Sequence, residues 1–532
     1  MCVFAKIELI PENHWLGFKL LCILLYYSFS NVYAQNLPLN NDILFLHESR
    51  SDTLKHTSVK SLNNYHLGYF KPDYDTLSVK NKLLRHLINK SFIHFSGDEF
   101  EITANPVLDI SLGQSNDGFD DYIFYNRRGF IIQGHIENKL TFGSYLTENL
   151  ARFPEHIYNY SKEQRVLPLM GRVKGFGNQH VLDYATANGW ISYPILKRVK
   201  MEFGHGYHFF GEGYRSLFLS DHAYYYPYFK VTTDLGRLKY INLYTMFQDI
   251  NFTLPSGIYG RKYAGIHYLS YDISEKWNVG LFEAVIWGDS ANTRKFDINY
   301  LNPIILYRPI EFSLGSGGGN ALMGMHAKYK PCRYSVFYFQ FLLDDIKSSE
   351  LNKGFWKNKF AFQLGTKQFD LFKIKGLGLN TEFNWVKPYT YSHFEGIMNF
   401  GHFNSSLAHP YGANFYELNN ILRYNVKRMS FKLQFSHTVI GLDSMGSNWG
   451  QNIYISYDDN EMDYGNKILQ GVNTKLNTMN IEFSYDLNPN SFLQLYASAY
   501  LRSKKNVLIE ENNFFFLFGI RTSIFNSYLD IL

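Results

Sequence analysis

Cysteine is almost missing from this 532-residue chain: Cys2, Cys22 and Cys332 are the whole supply. Cys2 and Cys22 fall in the first 34 residues and Cys22 sits inside an apolar run, so only Cys332 would survive export processing. A lone cysteine forms no internal disulfide and cannot supply a thiolate pair to a metal. Charge is scarce as well, at 19% of residues. The net value of +5, with no basic run interleaved with aromatics, excludes a nucleic-acid surface. Long apolar runs are also lacking. None reaches the roughly 18 residues of a membrane-spanning helix, and the mean hydropathy is -0.24.

Aromatic residues are what the chain has in excess. It carries 46 Phe and 42 Tyr, and aromatics make up 18% of residues. A soluble core could not hide so many rings, whereas a lipid-facing β-barrel with aromatic girdles uses them on its outer wall.

The first 34 residues read as an export signal. Lys19 precedes the apolar run Leu20 to Phe29, and Val32-Tyr33-Ala34 offers a small residue for cleavage before Gln35. Residues 35–99 are expected to form a periplasmic segment. Its first part, 35–74, is polar and offers no firm pattern. In KNKLLRHLINK, Leu83, Leu84, Leu87 and Ile88 recur at helical spacing. One short helix is expected there, docked on the periplasmic mouth of a barrel.

From Phe100 to the end the period is two. Residues 199–231 show the repeating unit: Val199, Met201, Phe203, His205 and Tyr207 alternate with Lys200, Glu202, Gly204, Gly206 and His208. A loop dense in Gly, Tyr, Arg, Asp and His follows, and then a returning strand with no helix between. Strands are expected near 100–114, 128–138, 139–148, 182–194, 197–207, 225–234, 237–249, 262–273 and 276–287. They continue near 321–330, 333–343, 358–370, 376–387, 416–426, 429–439, 475–487, 490–503 and 513–524. Tight turns alternate strictly with longer connections. Eight turns and nine loops are what about 18 antiparallel strands need when both ends of the chain lie in the periplasm.

Soluble sandwiches and propellers also alternate, so no single strand decides between them and a barrel. The export signal, the turn and loop asymmetry and the segment NFFFLFGIRTSIF together favour a membrane. In that segment Phe514, Phe516, Phe518 and Ile520 share a face opposite Gly519, Arg521 and Ser523. The expected fold is an all-β transmembrane antiparallel barrel over residues 100–532.

Two stretches resemble a known family. GHGYHFFGEGYRSLFLSDHAYYYPYFKV and YLNPIILYRPIEFSLGSGGGNALMGM (residues 300–325) are similar to outer-membrane barrels of the Wzi type. Within that type the likeness is to Bacteroidetes relatives, some named gliding-motility outer-membrane proteins. Gly213-Tyr214-Arg215-Ser216-Leu217, then Leu219-Ser220-Asp221 and Ala223 before a Pro-containing strand, carry it most specifically. The resemblance spans nearly the whole mature chain. It implies a barrel of about 18 strands, a helical periplasmic segment and a role in attaching capsular polysaccharide to the cell surface. Enterobacterial members carry a helical bundle where this chain shows one helix.

Several residues could carry function. Arg215 and Asp221 sit among aromatic loop residues and either offer hydrogen bonds to sugar hydroxyls or hold the loop folded over the pore. Arg308 and Glu311 read as a structural pair pinning loop 288–320, with Pro303 and Pro309 stiffening it. Tyr207, Tyr214 and Tyr226 crowd one loop, and Trp449 lies in GSNWGQN within the longest loop. Sugars stack on such rings, and membrane girdles need the same residues; Trp356 and Trp287, near other loop ends, pose the same choice. Ser216, Ser220, Asp221, His205, His208 and His222 contain the parts of a hydrolase triad, but composition is not geometry. No catalytic residues, metal or cofactor are expected. The Gly315 to Gly319 run lacks a following Lys-Ser/Thr, so it is not a phosphate loop.

The sequence thus points to a non-catalytic outer-membrane barrel that binds or anchors capsular or exopolysaccharide at its extracellular face. Loops 208–224 and 288–320 are expected to line or close the mouth. Its partners would be lipid, surface polysaccharide and other envelope proteins. The alternatives are a pore for small solutes and a surface component of a gliding or secretion apparatus.

Overall fold

The computed structural model describes residues 40–50, 55–60, 81, 88–117, 122–137, 139–176, 180–289, 296–303, 319–444 and 446–531. The export signal at 1–34, most of the helix expected at 80–90, and both Arg308 and Glu311 lie outside these residues.

Side-chain alternation sets the architecture. In Glu510–Thr522, Phe514, Phe516, Phe518 and Ile520 are exposed, while Phe515 and Leu517 are each only 2% exposed. A strand sends successive side chains to opposite faces, so this one has an apolar outer face and a covered inner one. Eighteen such strands form the wall among the described residues. They are β1 Phe100–Ser115, β2 Ile123–Ile136, β3 Leu140–Arg152, β4 Val181–Leu196, β5 Val199–Gly206 and β6 Tyr226–Asp234. Next come β7 Leu238–Thr253, β8 Tyr259–Asp272, β9 Trp277–Asp289, β10 Asn320–Cys332, β11 Ser335–Asp345 and β12 Lys359–Gln368. The last are β13 Leu377–Val386, β14 Phe415–Val426, β15 Met429–Leu442, β16 Val472–Asn488, β17 Leu493–Lys505 and β18 Glu510–Thr522. Each pairs antiparallel with the next. β18 then pairs with β1, from Asp109 opposite Arg521 to Ser115 opposite Phe515, and the cylinder closes without an edge.

The expected strands are all present. β2 starts at Ile123, ahead of the expected 128, because the lumen accepts Tyr125 and Arg127 on its inner face. One end of the barrel carries tight turns, such as Leu235 to Arg237, where Gly236 takes a φ of 83° that other residues rarely adopt. The other end carries the long connections.

The stretch 35–74, read as patternless, contains a helix, α1 Asn41–Arg50. Its signal is a cap: Asn40 Oδ1 accepts the backbone N–H groups of Asp42 and Ile43, both at 3.0 Å. Apolar periodicity is weak because charge holds α1 in the turn-end mouth. Asp42 accepts from Arg423 at 2.6 Å and Lys432 at 3.1 Å, and Glu48 accepts from Lys367 at 2.7 Å. A second unexpected helix, α2 Glu155–Gln164, follows Pro154 in the β3–β4 connection.

One sector of the wall is inverted. On β9, Trp277 and Leu281 are exposed, yet the next residue on that outer face, Glu283, is buried. It lies 3.6 Å from His267, which pairs in register with Asn242, so a polar row crosses the outer faces of β7, β8 and β9. The inner faces there carry Ile241, Leu243, Ile266, Phe282 and Ile286 instead. Residues 296–303 of the β9–β10 connection are strapped over this row. Tyr300 stacks on Trp287 at 4.1 Å, and Tyr244 and Tyr240 donate to the carbonyls of Leu301 and Pro303. Burying polar groups away from hydrocarbon is what the strap achieves. This corrects the expectation for loop 288–320: its described part lies on the outer wall and not over the mouth.

A charge on the lipid face elsewhere should be costly. Phe516→Arg, mid-way along β18, is expected to lower stability by about 2–4 kcal/mol, read by equilibrium refolding into phospholipid vesicles. An unchanged midpoint would mean that this face does not contact hydrocarbon.

Candidate functional site

The connection 207–225 does not cap the barrel; it descends into the lumen. Its apolar residues meet the inverted sector, with Phe210 stacked on Tyr268 and Phe218 on Phe282, both at 4.8 Å. Its backbone meets the segment behind α1, where Lys60 N–H donates to Phe209 O and Gly211 N–H to Ser58 O. Glu212 accepts from Thr57 at 2.6 Å and lies within ion-pair distance of Lys328 and Lys367.

Arg215 is the electrostatic centre of this plug. It is 2% exposed. Its Nη2 lies 2.6 Å from Asp530 Oδ2 and 3.4 Å from Glu417 Oε1. Glu382 accepts the backbone N–H groups of Tyr214 and Arg215 at 2.8 and 3.0 Å, and Tyr338 donates to the same carboxylate. Burial opposes the charge on Arg215, but the Asp530 and Glu417 carboxylates outweigh it and lift its pKa well above the usual range. Asp530 arrives on the tail 523–531, which leaves β18 and turns back inside. On the same tail Tyr528 and Asn526 donate to Asp221, each at 2.7 Å.

Tyr214, Arg215 and Asp221 are therefore brought together, but inside the barrel, on protein partners. Tyr226 is also buried, edge-on to Phe247, and its hydroxyl accepts the His208 N–H at 3.2 Å. Tyr207 is half-buried and stacked on Tyr225. Trp449 stands apart from all five, half-buried in the connection 443–471, where its N–H donates to Asp443 at 2.6 Å. The triad components are not aligned. Ser216 donates to Phe210 O, Ser220 donates to Leu407 O, and Asp221 is taken by Tyr528 and Asn526. Among the described residues no cluster of His, Cys, Asp and Glu could hold a metal.

The mouth is closed by connections 387–414 and 443–471, the second being the long loop that carries Trp449. Tyr389 locks them, its hydroxyl donating to Asn448 O and its backbone N–H donating to Gly450 O, both at 2.8 Å. They descend onto the plug, with Tyr391 donating to Leu217 O and Ser220 N–H to Leu407 O. Outward, they and the connection 346–358 form a partly exposed ring cluster. Trp356 packs on Tyr457 at 4.7 Å and Phe355 on Tyr464 at 5.2 Å, with Phe394 beside Tyr457. Lys347, Lys353, Lys357, Asp458 and Asp459 rim this patch.

No family model matches the chain, and no curated protein matches it by sequence. Solved structures do. Wzi of Escherichia coli, described as a carbohydrate-binding β-barrel involved in group 1 capsule assembly, superposes with a TM-score of 0.55 at 14% identity, covering 91% of this chain and 99% of that one. OprD of Pseudomonas aeruginosa matches with a TM-score of 0.42 at 11% identity, covering 82% and 100%. The chain has the fold of an outer-membrane β-barrel. Its tight turns therefore face the periplasm and its long connections the exterior.

Two outcomes follow for the plug. Arg215→Ala strands buried carboxylates and should cost about 3–5 kcal/mol, read as faster proteolysis of 207–225 and of the tail, with Arg215→Lys milder. Parental resistance would show that the pair does not hold the plug. The second outcome concerns pH. His402 accepts Gln248 N–H on Nδ1 and donates from Nε2 to Tyr225 O, which fixes the neutral ring. Burial pushes its pKa down to about 3, and burial followed by the Arg215 charge does the same to His222. Both are neutral when folded and protonate near 6.5 when unfolded, so stability is full above 6.5 and is lost as pH falls towards 3. The loss should be about 1.4 kcal/mol per histidine per pH unit. Protection factors of 207–225 and 387–414, which allow for slower intrinsic exchange at lower pH, should therefore fall between pH 7.5 and 5.5, and fall less in His402→Gln.

Proposed function

We infer that this barrel binds and anchors a cell-surface polysaccharide at its extracellular face, without catalysis. The observation that carries this reading is the interlocked extracellular cap with its ring cluster, Phe394 and Tyr464 exposed and Phe355, Trp356 and Tyr457 half-buried, held on the plug. Aromatic faces stack on the apolar C–H faces of sugars, and a polar rim supplies hydrogen bonds to hydroxyls. A platform fixed before the ligand arrives loses little freedom on binding. Wzi of Escherichia coli, similar in fold, is described as binding carbohydrate, which supports the same reading here. We read the two quoted sequence stretches as resembling the Bacteroidetes branch of that type. Of the six residues expected to contact glycan, Trp449 and Tyr207 keep part of their surface free. Tyr214, Arg215, Asp221 and Tyr226 serve the site by holding the plug beneath it.

The double variant Trp356→Ala, Tyr464→Ala should shed surface polysaccharide into the medium, with retention falling at least fivefold and the barrel still resisting heat in detergent. Retention at the parental level would remove the cap from the binding role.

A further inference from the structure

Beside the plug, a second internal space of about 1410 Å³, part of it open to solvent, runs along the inner faces of β14 to β18 and β1 to β4. Leu167 to Met170 lie at its outer end and Asn40 to Asp42 at its periplasmic end.

The chemistry of the wall narrows what fits there. Most of its charges are paired within the protein. Arg521 grips Glu482 with two bonds, one of them 2.9 Å, Asp42 takes Arg423 and Lys432, and Arg127 donates to Asn149. The atoms left over are mostly neutral, joined by one spare N–H each on the Arg423 and Arg521 guanidiniums, which also line the space. Tyr125 Oη, Asn480 Oδ1 and Ser498 Oγ are buried and have no hydrogen-bond partner among the described residues, and all three residues line the space. A buried polar atom without a partner costs about 1–3 kcal/mol, a cost that a ligand hydroxyl would remove. Tyr184, Tyr496 and Tyr500 add aromatic surface on the same walls.

We propose that this lumenal space is a binding site for a short oligosaccharide, with its polar groups on Tyr125, Asn480, Ser498 and the spare N–H groups of Arg423 and Arg521, and sugar rings against Tyr184, Tyr496 and Tyr500. The proposal rests on the polysaccharide reading above but places a second contact inside the wall, remote from the extracellular cap. The barrel would then hold a few units of the polymer in its lumen as well as on its cap.

The test uses the full barrel in detergent and, as probe, fragments of two to four sugars from partial acid hydrolysis of the producing cell's own surface polysaccharide. Calorimetric titration should show saturable binding. Ser498→Trp, which fills the space, should weaken it at least tenfold, and Tyr500→Leu, which removes a ring without filling, should weaken it about threefold. Heat-resistant mobility of each variant confirms folding. Absent fragment binding, or unchanged affinity in both variants, overturns the lumenal site. If cells meanwhile retain polymer through the Trp356 patch, the surface reading stands alone. Fragment binding without any dependence of retention on that patch overturns the surface reading and leaves the lumenal site in place.

Discussion

The buried guanidinium of Arg215 is where four separate stretches of chain are held at one point. Glu417 comes from the wall and Asp530 from the tail, while the N–H groups at Tyr214 and Arg215 tie the descending loop to Glu382 on the adjacent strand. In a low-dielectric interior each of these charges would be costly alone. Together with the hydrogen bonds that satisfy the remaining oxygens they fix the depth and register of the plug. The cap of 387–414 and 443–471 rests on that plug, so the outward rings inherit their positions from a contact deep inside the lumen.

Filling also explains the wall. Where the plug presents Phe210, Leu217 and Phe218, the inner faces of β7 to β10 are apolar, and where it presents Arg215 and Glu212 they are charged. The inner wall is therefore matched to what occupies it and not to water. The outer wall is matched to lipid except beneath residues 296–303, where Asn242, His267 and Glu283 are matched to a piece of the chain itself. A barrel wall with apolar residues inside and polar ones outside would fail in a membrane; here both faces of that sector are covered.

The cylinder was legible because period two survives in every strand, and β18 announced its lipid face through four alternating apolar residues. Tight turns alternating with long loops supplied the topology. The site was legible only in part. Arg215 stood out as a charge among rings, but its partners lie 167, 202 and 315 residues away, and no local pattern links them. Asp530 sits in a tail without period. In β7 to β9 alternation separated two faces but could not say which looked inward, since the polar set turns outward there. α1 escaped notice because salt bridges, not an apolar stripe, seat it; the Asn40 cap was the available sign. The outward ring cluster is assembled from three connections, and only Trp356 and Trp449 among their residues had drawn attention.

The strap has a consequence for how the protein sits among its neighbours. A bare cylinder looks alike from every side, but this one has a padded flank, where Ile298 and Leu301 project from residues 296–303 beyond the strands. Acyl chains that lie flush along the rest of the circumference must step around that relief. The molecule consequently has a front and a back within the plane of the bilayer, and anything that packs against it laterally meets a handle by which one orientation is told from another.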